Sequence, residues 1–122
     1  MDYPATAATL DSLPNGLSLI LDPDPAAPVV STQLWVETGS LHEGALLGSG
    51  VSHFLEHMVF KGTPRRSPAD VNRELDEMGA DSNAMTGEEQ TIYHATVIPE
   101  MQDRAVELLA DILRPSLRPE DF

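Results

Sequence analysis

The chain has 122 residues, enough for one modest hydrophobic core and too few for two complete domains. Its 20 Asp and Glu against 7 Lys and Arg give a formal net charge of -13, which argues against nucleic acid and anionic membrane surfaces as partners. There is no cysteine, so disulfides, thiolate metal sites and cysteine nucleophiles are excluded, and any metal must be held by histidine and carboxylate.

Met1 to Leu10 lack the cationic start and apolar run of a secretory signal, and no apolar stretch approaches membrane-spanning length; the expectation is a soluble, cytoplasmic protein. Two strands are predicted, from about Ala5 to Leu13 and through Leu17, Leu19 and Leu21, joined by the hairpin turn Pro14-Asn15-Gly16. The proline-rich stretch Asp22 to Pro28 interrupts regular structure before a β-rich strand, Val29 to Val36, which contains Trp35. A loop through Gly39, Gly44 and Gly48 follows.

From about Gly50 to Phe60 a helix is expected, with Val51, Phe54, Leu55 and Met58 as one apolar stripe facing a core and Gly62 and Pro64 ending it. A second helix starts with Ser67 as N-cap, Pro68 at the first helical position and Asp70 in the first turn; Val71, Leu75 and Met78 form its buried stripe, and Gly79 stops it. Ala80 to Met85 and Thr91 to Ile98 read as strands around the polar turn Thr86 to Glu89. A third helix, Glu100 to Leu113, turns Met101, Ala105, Leu108, Leu109 and Ile112 inward, and Pro115 closes it. Hairpin signals without strict β-α-β alternation predict an α+β fold, with helices packed on one face of a largely antiparallel sheet.

The informative run is His53-Phe54-Leu55-Glu56-His57, an H-x-x-E-H pattern on the first helix. Histidines four apart stand one above the other on a helix face, so two imidazoles can reach one metal ion, and Glu56 lies on the same side. Without thiolates the natural occupant is Zn²⁺, with a position left for a water that Glu56 can deprotonate as general base. The bland alternative is two half-exposed helix histidines beside a surface glutamate. The expected core positions of Phe54 and Leu55, which leave the three titratable groups together, weigh against it.

H-x-x-E-H is the inverted zincin signature. The chain resembles the pitrilysin, insulinase and mitochondrial processing peptidase family through Leu13-Pro14-Asn15-Gly16-Leu17, Trp35-Val36-Glu37-Thr38-Gly39-Ser40 and Gly50 to Thr63. The likeness continues in Asn83-Ala84-Met85-Thr86, Glu89 to Tyr93 and Leu108 to Leu113. The resemblance implies a zinc-dependent endopeptidase, with His53 and His57 as metal ligands, Glu56 as catalytic base, and Asn83 and Ala84 on a strand that pairs with an extended peptide or unfolded protein substrate. Read alone, Asn83 is a strand-end or turn residue.

The resemblance also implies that residues 1–122 form only the amino-terminal part of the zinc-peptidase domain, with a glutamate ligand falling beyond Phe122 and the second homologous domain absent. Such a piece is expected to be inactive alone, and its parent to work as a homodimer or with a homologous subunit. The alternative is a non-catalytic subunit or interaction protein of the same fold. A lyase acting on a thioether sugar, which also uses an H-x-x-E-H helix, needs a cysteine that this chain lacks.

Other candidates have plainer readings. Glu88, Glu89, Glu107 and Asp111 are expected as surface charges rather than substitute ligands. His42 is a loop imidazole and His94 a residue on a sheet face, and Lys61, Arg65, Arg66 and Arg73 belong to a solvated loop paired with acidic neighbours. Met58, Met78 and Met101 sit at core spacing.

Overall fold

The computed structural model describes residues 7–122. Strands β1 (Thr9–Ser12) and β2 (Ser18–Leu21) pair antiparallel, with Leu10 opposite Ile20. Asn15 shapes the turn between them, its side-chain oxygen accepting the Leu17 N–H at 3.1 Å. The expected first strand began at Ala5; Ala5 and Thr6 lie outside the described residues. This hairpin is a sheet of its own, and Leu10 and Ile20 stay largely exposed.

Strands β3 (Val30–Val36), β4 (Asp81–Thr86) and β5 (Thr91–Val97) form a second antiparallel sheet in the order β3-β5-β4. Side chains alternate faces along a strand, so the register sorts them. On the inner face Leu34, Tyr93 and Ala84 lie side by side, as do Thr32, Ala95 and Ser82. The outer face carries Trp35, Ile92 and Met85, and beside them Gln33, His94 and Asn83. All three helices contribute to the core on the inner face, as the α+β reading expected.

Helix α1 spans Val51–Val59, α2 Pro68–Met78 and α3 Gln102–Ile112. A capping box starts α2: the Ser67 hydroxyl accepts the Asp70 N–H at 3.2 Å, and the Asp70 carboxylate accepts the Ser67 N–H at 3.0 Å. The Ser67 hydroxyl and amide, helped by Arg73, pull the Asp70 carboxyl down to about 2. A 3-10 turn, Pro99–Met101, takes up the first residues of the expected third helix. Leu108, Ile112, Val71 and Val97 are fully buried, each worth about 1.5–3 kcal/mol relative to exposure. Among the described residues no helix is long and apolar enough to cross a membrane.

Three expectations need correcting. Of the stripe assigned to the core side of α1, Val51, Phe54 and Leu55 are 40–46% exposed; the buried residues of α1 are Glu56, Met58 and Val59. Periodicity reveals an apolar stripe but not where the neighbouring layer lies, and α1 meets the sheet along β4. Asp111 is buried rather than a surface charge, accepting from the Thr63 hydroxyl at 2.8 Å and from Arg66 Nη1 at 2.7 Å. Arg66 is not solvated either, because it bridges Glu74 of α2 to Asp111 of α3 with its side chain 11% exposed. Burial opposes the charge on Asp111, but the Arg66 and Thr63 hydrogen bonds prevail and hold its carboxyl below the usual range.

Candidate metal centre

Local sequence alone does not start α1. Gly50 at its N-cap has φ +78°, a left-handed conformation that favours glycine, and no local side chain caps the helix. The cap comes from Glu43, nine residues before Ser52. One Glu43 oxygen accepts the Ser52 N–H at 2.9 Å, and the other accepts the N–H groups of Gly48 at 3.0 Å and Gly50 at 3.4 Å. The Ser52 amide is the main reason the Glu43 carboxyl lies below its ordinary value, and an anion at a helix N-terminus also suits the helix dipole. Sequence reasoning passed over Glu43; a lone acid in a glycine-rich loop ahead of an uncapped helix was the available signal.

A second joint ties this loop to the sheet. The N–H groups of Ser40 and Leu41 donate to the carbonyls of Gly87 at 3.0 Å and Glu88 at 2.9 Å, in the turn between β4 and β5. Gly39 lies so close to that turn that a Cβ there would stand 2.4 Å from the Gly87 oxygen, so only glycine fits. The Ser52 hydroxyl donates to the Gly39 carbonyl at 3.2 Å, linking the first turn of α1 to the same joint. His42 accepts the Gly39 N–H at 3.2 Å and is the loop imidazole expected of it.

On the helix so placed, His53, Glu56 and His57 each offer a ligand atom, and these atoms lie within 4.8 Å of one another. The two imidazole centroids are also 4.8 Å apart. Both histidines are exposed, whereas Glu56 is only 7% exposed. Its carboxylate accepts a hydrogen bond from the Thr86 hydroxyl at 2.5 Å, across the gap from α1 to β4. Burial, with the Glu56 charge nearby, pushes the Tyr93 phenol up. The two imidazole nitrogens suit zinc, which is commonly held by histidine where no thiolate is present.

An open cleft of about 360 Å³ lies between α1 and β4, lined by His53, Glu56, Ala84, Met85 and Thr86 together with Ser40, Glu43 and Gly50. Ala84 therefore reaches the cleft. Asn83 projects to the other face of the sheet opposite His94, and its side-chain oxygen accepts the Ala84 N–H at 2.9 Å. Strand β4 is an edge strand, paired only with β5 among the described residues.

None of the acids weighed as substitute ligands joins the cluster. Glu88 and Glu89 are exposed in the turn, Glu107 pairs with Arg65 and Arg66, and Asp111 is taken up by Arg66. Thr86 is the contact that sequence reasoning missed: it stood in the predicted turn, and nothing in its neighbourhood points to a partner 30 residues away.

The chain is 41% identical over 116 residues to the mitochondrial-processing peptidase subunit beta of Bos taurus, covering 95% of this chain and 23% of that protein. It is 41% identical over 112 residues to a protein of Rickettsia felis named an uncharacterized zinc protease, covering 92% and 27%. A crystal structure of a protease from Helicobacter pylori superposes with a TM-score of 0.86 at 26% identity, over 95% of this chain and 28% of that one. The chain thus spans about a quarter of the length of these relatives. Residues 19–122 match the sequence profile of Insulinase (Peptidase family M16), and on that match the chain belongs to the insulinase family of peptidases.

Proposed function

We propose that this chain carries part of the site of a zinc-dependent endopeptidase, with His53 and His57 as metal ligands and Glu56 as general base. The observation that carries the reading is the convergence of their ligand atoms within 4.8 Å beside an open cleft. A catalytic zinc takes three protein ligands, and the histidines supply two. The third is assigned, through the family resemblance, to a glutamate outside these 122 residues.

When bound, a zinc ion would supply Lewis acidity, polarising a peptide carbonyl and lowering the pKa of water towards neutrality. The two imidazoles stand on adjacent turns of one helix, so their spacing is set by backbone geometry before any ligand arrives. Glu56 takes a proton from the attacking water as the water oxygen bonds to the carbonyl carbon. It then delivers that proton to the amide nitrogen as the C–N bond breaks.

The substrate is a peptide or unfolded protein added as an extra strand to the edge of β4 along Asn83 and Ala84. Such pairing uses backbone groups, and the Ala84 N–H then exchanges its bond to the Asn83 side chain for one to the peptide. Because one relative is named as a subunit, we assign the parent protein a homologous subunit or a second copy as partner.

The test is made in the full-length protein. His53→Ala and His57→Ala are expected to lose zinc by metal analysis, while Glu56→Gln keeps zinc and loses peptide cleavage. Cleavage at the wild-type rate by Glu56→Gln would end the proposal.

A further inference from the structure

A glutamate that must accept a proton from one place and deliver it to another needs its carboxylate held in direction, and three rotatable bonds separate that carboxylate from α1. Helix geometry alone does not orient it. In this structure one Glu56 oxygen, Oε2, takes the Thr86 hydroxyl, and Oε1 takes no hydrogen bond among the described residues. Thr86 projects from the inner face of β4 and lines the same cleft as His53 and Glu56.

Thr86 is well placed to act as a fixed point. Its β-branched side chain is stiff about χ1. It is the last residue of β4, opposite Thr91, whose hydroxyl donates to the Thr38 carbonyl at 2.9 Å. The next residue, Gly87, is held by Ser40 and lies against Gly39, which is tied in turn to α1 through Ser52. The backbone carrying the donor and the helix carrying the acceptor are thus braced against each other at one joint.

We infer that Thr86 is a positioning residue for the peptidase reaction: its hydroxyl occupies Oε2 of Glu56 and leaves the other oxygen aimed at the proton to be moved. The inference rests on the proposed role of Glu56. It adds a consequence for β4. The strand proposed to hold the substrate backbone also holds the base, so the scissile bond and the group that moves its proton share one frame. A general base displaced by a fraction of an ångström loses much of its rate advantage, whereas substrate binding along the strand edge is untouched.

The experiment compares Thr86→Val, Thr86→Ser and Glu56→Gln in the full-length protein, measuring kcat, KM and zinc content. Peptide affinity of the metal-free protein is measured alongside by fluorescence anisotropy. Thr86→Val keeps the shape and removes the donor; kcat is expected to fall by roughly tenfold to a hundredfold. KM, zinc content and metal-free peptide affinity are expected to stay near wild type. Thr86→Ser keeps the donor and is expected to restore most of kcat, which a packing role for the methyl group would not allow.

Wild-type kcat in Thr86→Val overturns the inference, as does a serine variant as slow as the valine one, or a loss that follows KM or zinc content. If Glu56→Gln itself cleaves at the wild-type rate, the reading of Glu56 fails first. A silent Glu56→Gln beside a fully active Thr86→Val removes the role of Thr86 alone.

Discussion

Asp111 on α3 and Glu56 on α1 are both buried carboxylates, and each accepts a hydrogen bond from a threonine hydroxyl, Thr63 in one case and Thr86 in the other. Their surroundings then diverge. Asp111 also meets Arg66 at 2.7 Å and Arg65 at 4.0 Å, whereas among the described residues no lysine or arginine pairs with Glu56. A guanidinium beside a carboxylate keeps it ionised and leaves it no reason to take a proton, so Asp111 serves to join α2, α3 and the loop after α1. Glu56 has two imidazoles and an open cleft beside it in place of a guanidinium.

That contrast can be broken from either side. The largest effect is expected for Glu56→Gln in the full-length protein, where loss of the proposed base lowers kcat by about 10² to 10⁴ while the melting temperature stays close to wild type. Arg66→Ala is expected to do the opposite. It leaves Asp111 buried beside Thr63 without its principal cation, and a broken buried pair costs about 3–5 kcal/mol, read as a shift in urea midpoint. An Arg66→Ala protein as stable as wild type would mean that Asp111 is not a structural anion.

Gly39→Ala sharpens the comparison by loosening the joint on the Glu56 side alone. A Cβ 2.4 Å from the Gly87 oxygen must push the loop after β3 off the turn between β4 and β5, at about 1–3 kcal/mol, and cleavage is expected to fall with it. The smallest effect is a pH dependence. The Asp70 carboxyl, pulled from 3.8 to about 2 by Ser67, contributes stability that is full above about 3.8 and is lost as pH falls through about 2. Thermal melts across that window are expected to decline less steeply for Asp70→Asn than for wild type.

Much of the frame was legible because it is local. The capping box of Ser67 and Asp70, the left-handed Gly79 that ends α2, and the alternation along β5 all depend on residues within a few positions of one another. The helical spacing of His53, Glu56 and His57 is of the same kind, which is why the candidate site could be found before any fold was known. The side on which α1 is buried was not legible. Phe54 and Leu55 belong to its apolar stripe, yet they remain 46% exposed.

By itself, then, the sequence determined which helix bears the metal-ligand spacing, how α2 begins and ends, and that helices would pack on an antiparallel sheet, since each follows from backbone period and nearest-neighbour hydrogen bonds. Only the tertiary structure decided that Glu43 caps α1, that Thr86 meets Glu56 and that Arg66 meets Asp111. The last two pairs lie 30 and 45 residues apart, and Glu43 caps α1 across a glycine-rich loop that can take many paths. Such contacts exist only once the packing of the layers has brought the chain back on itself, and no local preference encodes which oxygen will find which donor.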